Sequence, residues 1–262
     1  MVLIAQPRVG ELLRQWRERR RLSQLDLALQ AEVSTRHLSF LETGRASPSR
    51  EMLLRLAEQL EVPLRDRNEL LLSAGYAPAY TETPVDAPPM AAVRDALRQV
   101  LAAHEPFPAF VVDRHWNLID ANQSTRMLTD HIPADLLEPP VNVLRASLHP
   151  RGLATRIVNL AEWRAHVLRR LRRQVALTSD DQLAALYEEL RGYPGDAPAT
   201  TLPEHSTVVV PLRLRHPAGE LAFFSMLSTC ESPSDITVDD LAIESFFPAD
   251  EFTRSVAGSL HP

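Results

Sequence analysis

Residues Ser23–Pro48 read SQLDLALQAEVSTRHLSFLETGRASP, and this stretch decides the fold of the N-terminal part of the chain. Ser23, followed three residues later by Asp26, is typical of a capping box and predicts a short helix. The dipeptide Glu32-Val33 predicts the tight turn that ends it, with Val33 pointing inward. The apolar side expected for this helix consists of Leu25, Ala28 and Leu29.

A second short helix follows the turn. Ser34 is a typical N-cap residue, and the helix is expected to run from Thr35 to Glu42. Leu38 and Leu41, spaced i and i+3, are its predicted inward positions. Two helices joined by a tight turn, with Thr and Arg at the exposed start of the second, suit the major groove of DNA.

Helices are also expected on both sides of this pair. The periodicity predicts an amphipathic helix over Val9–Arg20, and Gly44 is the expected left-handed residue after the DNA-reading helix. Ser47-Pro48 is expected to start a fourth helix running to about Leu60, and a fifth is expected over 64–74. Five short helices predict a compact all-α domain over residues 1–76.

The chain has 262 residues and a net charge of −6, which by itself argues against a general nucleic-acid-binding protein. The charge is uneven, however. Residues 1–50 carry nine arginines against five acidic residues, whereas residues 77–262 carry sixteen against twenty-four. A basic N-terminal part on an acidic body indicates a DNA-reading domain joined to a domain with another task.

Several classes of protein are disfavoured by what the sequence lacks. Cys230 is the single cysteine, which rules out an intramolecular disulfide and a cysteine-rich zinc site. The apolar runs are short and no signal peptide is recognisable, so we expect a cytoplasmic protein that has no membrane partner. No HExxH, GxSxG, P-loop or GxGxxG motif is present, so we expect no enzyme, no catalytic residue, no metal and no cofactor.

The run LSQLDLALQAEVSTRHLSFLETGRASPS resembles the XRE/Cro-C1 helix-turn-helix family, and the similarity covers about residues 8–75. The resemblance implies sequence-specific binding of double-stranded DNA, with Thr43, Arg45 and Ser47 near phosphates. Phe40 departs from the polar residue often found there and either touches a thymine methyl group or packs. The resemblance also implies a structural ion pair between Arg17 and Glu42. The predicted DNA-binding residues are Gln24, Ser34, Thr35, Arg36, Ser39, Phe40, Thr43, Arg45 and Ser47.

A proline-rich stretch, residues 77–90, follows the predicted DNA-binding domain. Pro78 to Pro89 contain four prolines and few apolar side chains, which predicts an interdomain linker without regular structure. A helix with an apolar stripe is expected over residues 91–104. It is suited to pack on the next domain or on its mate in a dimer.

Strand patterns begin at Phe107, and residues 91–262 are predicted to form a second domain. A hairpin turning at Asp113-Arg114 is expected first, then a short helix and irregular chain to Pro150. Two helices and an antiparallel meander complete the domain. The hairpin strands are expected over 107–113 and 115–122, the helices over 123–128, 153–176 and from Ser179 to 190, and the meander strands over 205–214, 220–229 and 236–246. The predicted fold class is α+β, with a PAS-like domain of antiparallel sheet and flanking helices after the five-helix domain.

Two segments resemble the ligand-binding domain of MmyB-like regulators, with similarity over about residues 92–250. They are FPAFVVDRHWNLIDAN at residues 107–122 and VNVLRASLHPRGLATRIVNLAEWRAHVLRRLRR at residues 141–173. A helix-turn-helix before this domain is the layout of that family. The resemblance implies a fatty-acid-like molecule held inside the PAS-like fold.

A pocket for such a ligand needs an apolar lining and a few polar anchors. The large apolar side chains suit core packing as well as ligand contact, and strand alternation allows only one of Phe223 and Phe224 to face the interior. Among the candidate polar anchors, Asn122 also suits a helix cap. The predicted ligand-binding residues are Phe107, Phe110, Trp116, Leu118, Asn122, Asn159, Trp163, Arg164, Val167, Phe223, Phe224 and Met226.

Together these features predict a transcription regulator that binds DNA as a homodimer and responds to a small apolar ligand. Two other classes stay open. One is an antitoxin-type DNA-binding protein whose C-terminal domain neutralises a protein partner, which stoichiometric co-purification would reveal. The other is an enzyme with an attached DNA-binding domain, and the missing catalytic motifs weigh against it.

Overall fold

The computed structural model of the protein describes residues 8–178, 180–194, 209–230 and 233–260. Within these ranges the chain forms two compact units. The first contains residues 8–84 together with 233–239, and the second contains residues 85–230 and 240–260. The first unit is built from helices, whereas the second combines an antiparallel five-stranded sheet with helices, so the α+β class is confirmed.

The predicted helices of the first unit all form, and two of the predicted caps are in place. The Ser23 hydroxyl accepts a hydrogen bond from the Asp26 amide at 3.1 Å, and the Ser34 hydroxyl accepts one from the His37 amide at 3.1 Å. A leucine-rich core joins the helices. The helices are α1 (Val9–Arg19), α2 (Gln24–Gln30), α3 (Thr35–Glu42), α4 (Arg50–Gln59) and α5 (Leu64–Ser73).

Two local predictions for this unit were wrong. On α2, Ala28 is buried as predicted, but Leu25 and Leu29 are 55% and 70% exposed, because the helix buries Leu27 in their place. This two-turn helix offers two apolar stripes, and its packing against α3 and α4 selects the one that the sequence pattern did not favour. Helix α4 starts at Arg50 rather than at Pro48, because the hydroxyl of Ser49 provides the cap by accepting from the Met52 amide.

The second unit is organised around a sheet with strand order β2-β1-β5-β4-β3, in which all neighbours are antiparallel. The meander predicted from the sequence therefore forms, with the N-terminal hairpin added at its β5 edge. The strands are β1 (Ala109–Val112), β2 (Leu118–Ala121), β3 (Leu212–His216), β4 (Gly219–Thr229) and β5 (Ala242–Pro248). The helices are α6 (Ala91–Ala103), α7 (Arg126–Thr129), α8 (Val143–Leu148), α9 (Leu160–Thr178), α10 (Asp181–Gly192), α11 (Ile236–Asp240) and α12 (Glu251–Leu260).

Successive side chains of each strand lie on opposite faces of the sheet. Phe110 and Val112 of β1 belong to the large core on the inner face, together with side chains of α8, α9 and α10. Ala109 and Val111 of the same strand lie on the outer face, where Leu101 of α6 packs on them. Helices therefore cover parts of both faces of the sheet.

Several element boundaries in this unit differ from the sequence prediction. Residues 236–240, expected to be strand, form α11. The chain expected to be irregular before Pro150 contains α8, whose cap is the Asn142 side chain accepting from the Arg145 amide at 3.1 Å. Residues 88–90, inside the predicted linker, form a 3-10 turn. Helix α12 was not predicted. The first residues of the predicted strand 205–214, residues 205–208, lie outside the described residues, and so does Ser179. The N-cap of α10 is Asp180.

The long helix α9 starts at Leu160, seven residues later than predicted, because β3 engages the residues before it. The amide of Val158 donates to Arg213 O at 2.8 Å, and Ile157 forms an isolated bridge with Leu214. The Asn159 side chain donates to Pro211 O and accepts from the Arg213 amide. No helix in the described ranges has both the length and the apolar composition needed to cross a membrane.

Candidate functional sites

The first candidate site is the surface of α3 and of the loop after it. A buried ion pair fixes this helix, because Arg17 of α1 binds Glu42 with Nε–Oε1 and Nη2–Oε2 distances of 2.6 and 2.9 Å. The side chain of Glu42 is only 2% exposed. The hydrogen bond to Glu42 raises the pKa of the Arg17 guanidinium, while burial opposes that rise. The pairing implied by the helix-turn-helix resemblance is present.

Several predicted DNA-binding residues have structural partners within the protein. Gln24 donates its side-chain amide to Glu42 Oε2 at 2.8 Å, which completes the buried network. Ser34 caps α3, and the Thr43 hydroxyl donates to Ser39 O at 2.7 Å within the same helix. These bonds occupy much of the hydrogen-bonding capacity of the Gln24, Ser34 and Thr43 side chains.

The remaining predicted DNA-binding residues are available at the surface. Arg36 is exposed, and its guanidinium lies 5.4 Å from the centre of the Phe40 ring one turn later, so Phe40 packs beneath it. Thr35 and Ser39 are half-buried. Gly44, at φ +72°, turns the chain away from α3, and the amide of Arg45 donates back to Phe40 O at 2.8 Å. Arg45 and Ser47 are exposed in this loop.

The second candidate site is a cavity of about 290 Å³ on the inner face of the sheet. This volume is just below the range typical of ligand pockets, roughly 300–1,000 Å³. Side chains from β1, β2, β3 and β5 form one side, and residues of α7, α8 and α9 and their connections form the other. The lining residues are Phe110, Leu118, Ala121, Asn122, Thr125, Arg126, Leu128, Thr129, Ile132, Leu137, Val141, Val143, Ala146, Ser147, Leu153, Trp163, Leu212 and Phe246.

The polar side chains of this lining are largely occupied. Asn122 accepts from the Ala109 amide at 3.0 Å and donates to Phe107 O at 2.7 Å, so it ties the hairpin to the chain before β1. The Ser147 hydroxyl accepts from Trp163 Nε1 at 3.2 Å. Among the described residues, no hydrogen bond or ion pair engages the guanidinium of Arg126, which is the one charged residue of the lining.

The structure brings together four of the twelve predicted ligand-binding residues, namely Phe110, Leu118, Asn122 and Trp163. Phe107, Trp116, Val167 and Phe223 pack in or against the large core of this unit without lining the cavity. Phe224 and Met226 alternate with the buried Phe223 and lie on the opposite face of the sheet. The ligand contacts of all twelve stay predictions.

The two predicted polar anchors that lie outside the cavity have structural roles. Arg164 is buried, and its Nη2 donates to Arg191 O at 2.8 Å and to Tyr193 O at 2.7 Å, which holds the end of α10. Asn159 bonds to β3, as described above. Sequence reasoning missed Arg126, Thr129, Ser147 and the apolar residues of 128–146. The capping residue Asn142 was a signal that would have placed Val143, Ala146 and Ser147 on a helix, α8.

The described ranges contain no group of three or more His, Cys, Asp and Glu residues placed to hold a metal ion. The lining of the cavity offers an apolar surface and one cation, Arg126, whose guanidinium has no partner among the described residues. A helix-turn-helix unit and a separate unit with an apolar cavity together define a DNA-binding regulator with a ligand-binding domain.

Comparison with known proteins gives the particular family. The family model of the MmyB-like transcription regulator ligand binding domain matches residues 93–260, and a helix-turn-helix model matches residues 13–66. The chain belongs to the family of MmyB-like transcription regulators. No curated protein matches the chain. A solved structure described as an RNA-binding Light-Oxygen-Voltage receptor is 15% identical with a TM-score of 0.29; the match covers 96% of this chain and 60% of that receptor.

Proposed function

We propose that this regulator binds a fatty-acid-like molecule in the cavity of its ligand-binding domain and that the bound molecule changes how a cytoplasmic homodimer binds its operator. The observation that carries the proposal is the apolar lining with a single charged residue, Arg126. An apolar cavity favours a hydrocarbon chain, and a guanidinium with no partner among the described residues favours an acidic head group. The proposed ligand therefore has a long apolar body and one carboxylate.

The energy available from such a ligand is sufficient for a switch. Each buried methylene contributes about 0.8 kcal/mol. Moving a two-state equilibrium from 1:99 to 99:1 requires roughly 5.5 kcal/mol of differential binding, so about seven methylenes buried in only one state suffice.

Helix α6 offers a path from the cavity to the outer face of the same unit. Phe110 and Phe246 line the cavity from β1 and β5. On the opposite face of these two strands, Val111 and Ile243 pack with Leu101 of α6. A ligand that changes the spacing of β1 and β5 therefore acts on the helix that follows the proline-rich stretch, and we expect that helix to set the distance between the two DNA-binding units of a dimer.

Calorimetric titration with dodecanoate and with the neutral analogue dodecanol tests the ligand chemistry. We expect dodecanoate to bind the wild-type protein, and Arg126→Gln to weaken it about three- to tenfold, in line with the loss of one charge-assisted hydrogen bond near solvent. Dodecanol binding should be the same in both proteins. Arg169→Gln, which changes an exposed arginine of α9 outside the cavity, is the control.

Two results would contradict the proposal. Equal loss of dodecanoate and dodecanol in Arg126→Gln would show that the guanidinium does not recognise the head group. Equal operator affinity with and without bound dodecanoate, measured by gel shift, would show that the domain does not control DNA binding. Native mass spectrometry of the purified regulator reports the dimer and any co-purified molecule in one experiment.

A further inference from the structure

Part of the connection between β4 and β5 belongs to a different unit from the two strands that it joins. The strands belong to the second unit, but residues 233–239 between them belong to the first. The chain thus leaves the ligand-binding sheet after Thr229, contributes a short segment to the helix-turn-helix unit, and returns at Ala242. This connection is covalently continuous with β5, and Phe246 of β5 lines the cavity.

One end of the connection caps a helix. Helix α5 starts after Pro63, which has no side chain able to accept a hydrogen bond, so its first amides need another partner. The Asp239 carboxylate accepts from the Leu64 amide at 2.9 Å. A carboxylate at this position also interacts favourably with the helix dipole. A residue 175 positions away in sequence therefore performs the role of the local N-cap.

The other end of the connection binds the proline-rich stretch. The Asp235 carboxylate accepts from the hydroxyls of Thr81 and Thr83 at 2.9 and 2.7 Å. The Ile236 amide donates to Thr81 O at 2.8 Å, and the Ile236 side chain is only 3% exposed. Burial acts to raise the pKa of the Asp235 carboxyl, but the bonds from Thr83 and Thr81 outweigh it and lower the pKa, so Asp235 binds as the charged form.

We infer that residues 233–239 are the element that couples the ligand-binding sheet to the helix-turn-helix unit. A displacement of β4 or β5 strains the hydrogen bond by which Asp239 caps α5 and the hydrogen bonds of Asp235 to residues 81–83. Helix α5 packs against α1 and α4, and α1 packs against α3, so the strain reaches the DNA-reading helix through the core of the first unit. The coupling rests on the proposed function for its trigger, but it is testable without any ligand.

Hydrogen–deuterium exchange of the full-length protein tests the coupling with two matched leucine truncations. Leu241 follows the connection directly, and Leu186 lies on α10; both belong to the second unit and both are 6% exposed. We expect Leu241→Ala to speed exchange of the α5 amides by about threefold or more, in the range of coupled neighbouring sites. Leu186→Ala should leave α5 exchange unchanged. Equal effects of the two substitutions on α5 would overturn the inference.

The reciprocal experiment keeps the inference falsifiable if Leu241→Ala does not fold. Coupling free energies are symmetric, so Asp239→Ala should speed exchange of the β5 amides. The control is Asp26→Ala, which removes the first-turn carboxylate of α2 in the same unit and should leave β5 unchanged. Unaltered β5 exchange in Asp239→Ala would overturn the inference.

An experiment with a ligand distinguishes failure of this coupling from failure of the proposed function. With dodecanoate as the probe, Asp239→Ala should bind the probe with wild-type affinity but lose its effect on operator binding. If dodecanoate does not bind the wild-type protein, the proposed ligand chemistry fails, while the exchange experiments still decide the coupling. If Asp239→Ala keeps the full response to dodecanoate, the connection is not the coupling element.

Discussion

The Arg17–Glu42 pair shows how much depends on individual side chains in the DNA-binding unit. Arg17 satisfies two carboxylate oxygens and also donates to Leu22 O at 2.8 Å. We expect Arg17→Met to reduce the free energy of unfolding by about 3 kcal/mol, because it leaves a buried carboxylate without its cation. Urea unfolding of the full-length protein measures the change.

Arg14 provides a matched control on the same helix. It pairs with Glu18 at 2.8 Å, but the two side chains are 64% and 53% exposed. Because exposed pairs contribute little, Arg14→Met should change stability far less than Arg17→Met does. Similar losses in the two variants would show that the Arg17–Glu42 pair contributes no more than an exposed pair.

His166 makes the stability of the ligand-binding domain depend on pH. Its ring stacks on Trp163, which lines the cavity, with centroids 5.4 Å apart. Burial lowers the pKa of His166, Arg170 and Arg169 lower it further, and Glu244 opposes the shift. Below about pH 6.5 the unfolded chain binds a proton at this histidine that the folded protein does not, so stability falls as the pH falls from there toward the lowered folded-state pKa.

Unfolding midpoints measured across this pH range test the prediction. His166→Gln should remove part of the decrease, whereas the part due to His216, whose pKa burial also lowers, should persist. Identical pH profiles for the wild-type protein and His166→Gln would contradict the prediction.

At the scale of elements, Gly10 allows α1 and α3 to approach closely. A Cβ atom at this position would lie 2.3 Å from Leu41 O, which is backbone and cannot move aside. We expect Gly10→Ala to destabilise the protein by about 1–3 kcal/mol, the usual cost of overpacking. At Gly192, at the end of α10, no described atom lies within 4 Å of such a Cβ.

Gly192→Ala is therefore the matched control, and it should be neutral or stabilising by up to about 1 kcal/mol because alanine favours helix. Thermal unfolding of both variants, followed by circular dichroism, measures the difference. If Gly10→Ala is as stable as Gly192→Ala, the approach of α1 to α3 does not constrain this position.

The predictability of an element follows from how local its determinants are. Helix α3 was predicted with its cap and its inward leucines because Ser34, Leu38 and Leu41 act within a few residues of one another. The start of α9 was not predicted correctly, because it depends on hydrogen bonds between β3, more than 50 residues later, and Val158 and Asn159. Residues 236–240 resemble a strand in composition, but they form α11, and all of α11 except its last residue lies in the segment 233–239 that belongs to the first unit.

The cavity was predicted only where strands and a long helix supply its lining. Phe110, Leu118 and Trp163 are large apolar residues on recognisable elements, so composition selected them. Much of the remaining lining comes from residues 125–147, where short helices are interrupted by prolines and no long periodic pattern exists. Arg126 was overlooked because a lone arginine in such a segment has no sequence signature.

At the scale of the whole molecule, we expect DNA binding to depend on few contacts. The ligand-binding part of the chain is acidic, so general electrostatic attraction to DNA is weak, and the exposed charges of the predicted DNA-reading surface are Arg36 and Arg45. We therefore expect such a surface to act as two copies with correct spacing, since half-sites of a two-fold operator are separated by about 34 Å per helical turn. This is the physical reason for expecting a homodimer.

The salt dependence of operator binding tests the dimer and separates the two arginines. Each lost phosphate contact lowers the slope of log affinity against log salt by about 1, so Arg45→Ala should reduce it by about 2 if a dimer places two copies of Arg45 on phosphates. Arg36→Ala should instead relax base preference, at a cost of roughly 1–3 kcal/mol for the preferred operator, without the same change in slope. Operators for both measurements come from selection on random-sequence DNA. A change of about 1 in Arg45→Ala would indicate a single bound copy, and unaltered base preference in Arg36→Ala would remove Arg36 from the residues that read sequence.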